Sequence, residues 1–206
     1  MSITNGYATR EQVKDALGLK PTDTGSDARI DRAIGAASRQ IDGASGRRYW
    51  QDAEVKDREF YADDPVLCYV DDISTTTGLV VKVDSGCDGS FATTLTIGSH
   101  FLLLPRNAAA RTPVWPYDAI QLTPEALAYF PMQVRPAVKV TAKFGWPAVP
   151  DDITAACIIQ ATQLYKAPDA VFGGLSFGDG TFLRVRSALN PMAESLIEPY
   201  CKPRIP

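Results

Sequence analysis

The chain contains a single histidine, His100, in 206 residues. A Ser–His or Cys–His nucleophile would have to use it, yet it precedes the strand-like Phe101-Leu102-Leu103-Leu104, a structural position. One histidine also excludes a histidine-rich metal site. The four cysteines, Cys68, Cys87, Cys157 and Cys201, are scattered with no C-x-x-C pair, so neither a zinc site nor a redox motif is indicated. Cys157 lies in an apolar helical run and reads as a small core residue. Nothing demands a disulfide, and a reducing cytoplasm is the expected setting. There is no run of about 18 apolar residues to span a membrane as a helix. The start is polar (Ser2, Thr4, Asn5, Gly6) and lacks the apolar stretch of a signal peptide. Gly173, Gly174, Gly178 and Gly180 do not form G-x-G-x-x-G, and G-x-S-x-G is absent. No catalytic residue, cofactor or metal ligand is therefore assigned.

What is present is the composition of an ordinary globular protein, 45% hydrophobic and 22% charged, long enough to bury a real core. The net charge of −3 is unevenly spread. Residues 51–100 hold three basic and ten acidic side chains, whereas residues 101–150 hold five and two. The acidic block reads as solvated strand edges and loops, where charge prevents unwanted pairing. No long basic stripe exists, which argues against tight sequence-independent DNA binding.

The acidic pairs Asp63-Asp64, Asp71-Asp72 and Asp151-Asp152 sit at turns or at a helix start. Adjacent strand residues point to opposite faces, so none makes a cation site, and Asp151 or Asp152 is expected to cap a helix. The run Asp84-Ser85-Gly86-Cys87-Asp88-Gly89 imitates half of a calcium loop but has Leu95 where the bidentate Glu belongs. It reads as a hairpin turn. Arg47-Arg48 beside Tyr49-Trp50 reads as an aromatic corner of the core, with the arginines reaching out to water.

Helical period dominates both ends. Thr9-Arg10-Glu11-Gln12 has the form of a capping box, followed by Val13, Ala16 and Leu17 on one face and Gly18 as a stop. Ser26 or Asp27 caps a longer helix whose Ile30, Ile34, Ala37 and Ile41 form one stripe. Small residues at Gly35, Ala36, Ala37 and Ser38 allow another helix to approach. From Pro150 a third helix carries Ile153, Ala156, Cys157, Ala161, Leu164 and Tyr165 and is apolar almost all round. Asn190-Pro191 opens a last short helix docked by Leu196, Ile197 and Tyr200. Between the helical ends stand seven strand candidates: Glu59 to Tyr61, Leu67 to Val70, Leu79 to Val83, Thr93 to Ile97, Phe101 to Leu104, Ala119 to Thr123 and Val138 to Phe144. The fold class is α+β: a helical unit formed by the N- and C-terminal segments (1–50 and 150–206) and interrupted by a β-rich antiparallel insertion (51–149). The helical segments are expected to pack as one unit, with Ile30, Ile34, Ile41, Cys157, Ala161 and Leu164 buried together.

Three stretches taken in order carry a resemblance. They are Tyr7-Ala8-Thr9-Arg10-Glu11-Gln12-Val13-Lys14-Asp15-Ala16-Leu17-Gly18, then Ile30 to Asp42 with Gly46-Arg47-Arg48-Tyr49-Trp50, then Phe144-Gly145-Trp146-Pro147-Ala148-Val149-Pro150 followed by Ile153-Thr154-Ala155-Ala156. Together they resemble the head–tail connector (neck adaptor) proteins of long-tailed bacteriophages. The resemblance implies a structural virion protein with no catalytic residues. Such proteins dock beneath the portal and form a ring, usually of twelve copies, around the DNA channel. They present a platform to further neck or tail proteins, and the genome passes through without sequence-specific binding. The isolated protein can be monomeric, with assembly in the host cytoplasm. The smallest members are essentially helical, so the insertion of roughly 90 residues is a departure from them.

Residues 170–180 combine four glycines with Val171, Phe172, Leu175 and Phe177, the composition of an arm with apolar anchors that orders on a neighbouring protein. Two other readings compete. The β region can be a receptor- or carbohydrate-binding module if Trp115, Tyr117 and Tyr129 cluster on one exposed face. A carboxylate-dependent hydrolase would need two acids converging in a pocket.

Overall fold

The computed structural model describes residues 4–62, 64–126, 129–132, 135–169, 174–176, 182–184 and 189–202. It is an α+β chain with helices towards both ends and a β-rich middle, as the patterning predicts. By its internal contacts it divides into two compact units, Met1–Arg47 with Val149–Pro206, and Arg48–Ala148.

The first unit is built on four helices. α1 (Arg10–Leu17) opens with a complete capping box, in which Gln12 N–H donates to the Thr9 hydroxyl and Thr9 N–H to the Gln12 amide oxygen. Gly18, at φ 69°, closes it in the left-handed region that favours glycine. Its inward face differs from the expected one. Ala16 is exposed, while Lys14 is buried with its Nζ 2.5 Å from Asp27 and 3.2 Å from the Pro21 carbonyl. Burying an ammonium requires such partners, so the charge network selects the face over the methyl group.

α2 (Asp27–Ser45) buries Ile30, Ile34, Ala37 and Ile41, each 0% exposed, against α3 (Asp151–Lys166). Ser38 meets Cys157 at 3.5 Å, where two small side chains let the helices close. Gly35 and Ala36 are not part of that contact; Ala36 is exposed. Burial raises the Cys157 thiol pKa, which makes it an inert core group. On α3 no residue from Ile153 to Tyr165 is exposed, in keeping with its apolar circumference. Leu164 is a correction: it is only half-buried, because it lies where α3 runs past the Ile30 end of the stripe. Ser26 occupies the N-cap of α2 without a side-chain bond. Neither Asp151 nor Asp152 caps α3; Pro150 holds that position, and Asp152 instead accepts from the Tyr200 hydroxyl at 2.7 Å. Burial and that carboxylate push the Tyr200 pKa up to about 12. α4 (Pro191–Ile197) is capped by Asn190, whose side chain accepts from Met192 N–H, and it buries Ala193 and Ile197.

The link from α1 to α2 is ionic. Arg10 donates to Asp31 through Nε (2.8 Å) and Nη2 (2.7 Å) and to Asp27 through Nη1 (3.0 Å). The Arg10 hydrogen bonds hold the almost fully buried Asp31 carboxyl below its ordinary pKa. A carboxylate with a lowered folded pKa stabilises above its unfolded value, and that stability is lost as pH falls through the folded one. The expected result is that the helical signal loses thermal stability on acidification below the ordinary aspartate range, and that Asp31→Asn flattens this slope. An unchanged slope in a melting series from pH 7 to pH 3 would contradict the assignment.

The second unit holds two antiparallel sheets around one core. β1 (Lys56–Phe60), β7 (Val138–Ala142), β3 (Val80–Val83) and β4 (Thr93–Leu95) form the first sheet in that order. β2 (Leu67–Ile73), β6 (Tyr117–Leu122) and β5 (Phe101–Leu104) form the second. β7 alternates as predicted: Val138, Val140 and Ala142 are buried, while Lys139 and Thr141 face outward. Its register is set on both sides, Val140 opposing Arg58 on β1 and Val81 on β3. Inward residues of both sheets, among them Cys68, Val81, Phe101, Ile120, Val140 and Phe144, make a single core. Asp84 closes the β3–β4 hairpin by accepting from Asp88 and Gly89 N–H, so the calcium-like run is a turn. In the first unit, β8 (Gly174–Ser176) and β9 (Phe182–Arg184) pair antiparallel.

Candidate functional site

The residues that carried the resemblance at the insertion's two ends come together inside the second unit. Tyr49 is fully buried with its ring centroid 5.2 Å from that of Trp146, and the Trp115 ring, also tilted, lies 5.1 Å from Trp146. Trp146 Nε1 donates to the buried Asp72 carboxylate at 3.2 Å, a partner 74 residues away. Main-chain bonds complete the junction: Asp52 N–H donates to Phe144 O at 2.8 Å, and Gly145 N–H to Asp72 O at 2.7 Å. An aromatic corner was expected here. The arginines depart from expectation, because Arg47 is only 6% exposed and the Arg48 guanidinium carbon sits over the Trp50 ring, 3.9 Å from its centroid. A guanidinium is more weakly hydrated than an ammonium and is attracted to an indole face, and the Asp52 carboxylate at 2.9 Å holds Arg48 there as well.

Asp52 is the electrostatic centre of the junction. Its side chain is 1% exposed and meets Arg48 at 2.9 Å, Lys56 at 3.0 Å and Arg58 at 3.5 Å. Burial pushes its pKa up, but hydrogen bonds from Lys56 and Arg48 win, leaving it below the ordinary aspartate value. Arg58 also pairs with Asp71 at 2.5 Å and stacks on the Phe144 ring at 4.2 Å. Asp52 and Asp71 thus converge on a guanidinium between them. Acid–base hydrolysis needs one carboxyl held protonated, and a carboxylate saturated by cations is the opposite arrangement.

The acidic block is not the row of solvated edges expected. Asp52, Asp72 and Asp84 are buried, Asp64 accepts from Val66 and Leu67 N–H, and Asp71 and Glu59 sit in ion pairs. Much of its negative charge is consumed inside the fold. His100 Nδ1 accepts from Thr96 N–H, a turn-holding role. Among the described residues no group of three His, Cys, Asp or Glu is arranged to hold a metal. Trp115 and Tyr117 are half-buried and Tyr129 is 72% exposed, so the three do not form one exposed aromatic face. Of the proposed arm anchors, Val171, Phe172 and Phe177 lie outside the described residues, and Leu175 is placed only by its backbone pairing with Leu183.

No family model and no curated protein matches the sequence. Solved structures do. A chain in the neck of an empty GTA particle computed with C6 symmetry is 17% identical with a TM-score of 0.54, covering 100% of this chain and 94% of that one. A chain in the neck of the native GTA particle computed with C12 symmetry is 15% identical with a TM-score of 0.53 and the same coverage. A chain of the virion of the native gene transfer agent (GTA) is 20% identical with a TM-score of 0.49. Over its whole length the chain shares its fold with these chains from the necks of GTA particles.

Proposed function

We propose that this chain is a structural virion protein of the particle neck, a head–tail connector that docks under the portal. It forms a ring of twelve copies around the DNA channel and links the capsid to the tail. The observation that carries the reading is the full-length likeness in fold to neck chains of particles with C12 and C6 symmetry. A junction locked by aromatic stacking and a cation-saturated aspartate suits a part that bears load and performs no chemistry. Its partners are further copies, the portal protein and later neck or tail proteins. Assembly takes place in the host cytoplasm, and the genome passes without sequence-specific binding.

Electron microscopy of the concentrated protein, alone and mixed with its portal, tests the reading. Rings or portal-capped rings are expected. Monomers that ignore the portal at every concentration would sink it. Val171, Phe172, Leu175 and Phe177 act as the anchoring arm in this scheme, each large anchor contributing about 1.5–3 kcal/mol of contact when buried on a neighbour. Phe172→Ser with Phe177→Ser is expected to impair ring formation while leaving the melting temperature of the monomer unchanged. Loss of monomer stability with normal assembly would show the opposite.

A further inference from the structure

Residues 5–18 lie along one side of α2. Tyr7 N–H donates to the Ser38 hydroxyl at 3.1 Å, and the Tyr7 hydroxyl donates to Asp42. Arg39 donates to the Asn5 carbonyl at 2.9 Å and stands over the Tyr7 ring. Nearer the start of α2, Arg10 forks onto Asp31 and reaches Asp27, and Lys14 pairs with Asp27. The receiving residues, Asp27, Asp31, Ser38 and Asp42, follow steps of four, seven and four, which is one face of a helix. Cys157 of α3 lies under the same segment. Its sulfur is 3.5 Å from the Ser38 hydroxyl that holds Tyr7, and the Tyr7 and Ala8 N–H groups also bear on it.

The segment is held differently from the helices beneath it. α2 and α3 each bury four apolar side chains completely, with the stripe from Ile30 to Ile41 supplying those of α2. Residues 5–18 bury three in all, Tyr7, Ala8 and Val13, and add the polar row to them. Segments with few buried apolar contacts open at a lower free energy than the core they rest on. α1, at eight residues, is too short to stay helical alone in water, so leaving α2 and unwinding are one event. Residues 19–26 carry no helix or strand until α2 begins, and most are exposed, which suits a hinge.

We propose that residues 5–18 are a strap that opens as one piece about residues 19–26 while α2 and α3 stay packed, uncovering Cys157 and the polar row of α2. This is a property of the single chain and does not depend on the ring reading. The whole chain is followed by amide exchange and by N-ethylmaleimide alkylation of Cys157, both resolved peptide by peptide by mass spectrometry. Amides of α1 are expected to exchange ahead of those in α2 and α3. Urea below the unfolding transition should accelerate them less steeply, because a smaller opening exposes less surface. Arg10→Gln removes the fork, so α1 exchange and Cys157 alkylation should both rise about tenfold, the weight of a charged hydrogen bond.

Ala37→Gly is the discriminating variant. Ala37 is buried, and its side chain points about 100° round the helix from that of Ser38. The substitution should speed exchange in α2 and α3 about threefold. It should leave α1 and Cys157 unchanged, since the open strap keeps the α2–α3 contact. Equal acceleration of α1, α2 and α3 by Ala37→Gly, or equal urea slopes in the unsubstituted chain, would overturn the strap by making it one cooperative piece with the bundle. Alkylation of Cys157 that follows α2 and α3 instead of α1 would overturn its place under the strap. No response of α1 to Arg10→Gln would overturn the polar hold.

Discussion

Gly145→Ala is expected to destabilise the β-rich unit by about 4 kcal/mol or more, at the severe end for a single substitution. Two independent costs meet at this residue. Its φ of +106° lies where L side chains are strained, a penalty of roughly 1–2 kcal/mol. A Cβ built there would also stand 1.9 Å from the Trp50 carbonyl oxygen and 2.8 Å from its carbonyl carbon. Those are backbone atoms, and they cannot swing aside as a side-chain tip would. The main chain at Trp50 is pinned by Asp52 N–H to Phe144 O, and Gly145 itself by its bond to Asp72 O. Relief requires breaking one of these bonds or separating Tyr49 from Trp146. All three tryptophans, Trp50, Trp115 and Trp146, belong to this unit, so tryptophan fluorescence in a urea titration reads its unfolding. Gly35→Ala is the control of opposite sign. That glycine is helical with nothing within 4 Å of the added carbon, and alanine there should stabilise α2 by about 0.5–1 kcal/mol. A loss below about 1 kcal/mol for Gly145→Ala would show that the close approach is not a constraint.

The same junction shows which parts of the fold were legible in the sequence. Local signals were readable because their physics is local. The Thr9–Gln12 capping box, the Ile30/Ile34/Ala37/Ile41 stripe and the Val138 to Ala142 alternation each need only neighbours within a turn or a strand. They give the α+β class and the placement of helices at both ends. The corner at Tyr49 was readable as apolar, but its partners were not. Trp146 with Asp72, or Gly145 against Trp50, depends on sheet register that no local pattern encodes. The same limit misplaced charge. Reading ten acids between Gln51 and His100 as a solvated row assumes each meets water, whereas Asp72 is buried beside a tryptophan donor 74 residues away, Asp52 among three cations, and Asp84 against the N–H groups of its own turn. One hint was available, since Arg48, Asp52 and Lys56 stand at intervals of four. Outside a helix such spacing has no fixed meaning, so it does not by itself place the three charges together.

Asp52→Asn is expected to cost the β-rich unit about 2–3 kcal/mol at neutral pH. Removing one member of a buried ion pair usually costs about 3–5 kcal/mol, because the charge left behind is uncompensated. Here the partners are partly hydrated: Lys56 is 56% exposed, Arg48 27% and Arg58 30%, so water screens part of the loss and the lower figure applies. What remains is the crowding of three cations whose positions are set by other contacts, Arg48 by the Trp50 face and Arg58 by Phe144. The amide keeps a hydrogen-bond acceptor and turns its NH₂ towards donors, so one more contact is lost. The pH dependence separates this account from simple loss of packing. The Asp52 carboxyl titrates below its ordinary value, so its contribution is complete above that value and disappears as pH falls through the folded pKa. The wild-type advantage over Asp52→Asn, followed by tryptophan fluorescence in urea, should be full at pH 7 and progressively smaller towards pH 3. The variant itself lacks this titration. An advantage of the same size at both pH values would mean that shape and not charge holds the junction, and the electrostatic account of Asp52 would be wrong.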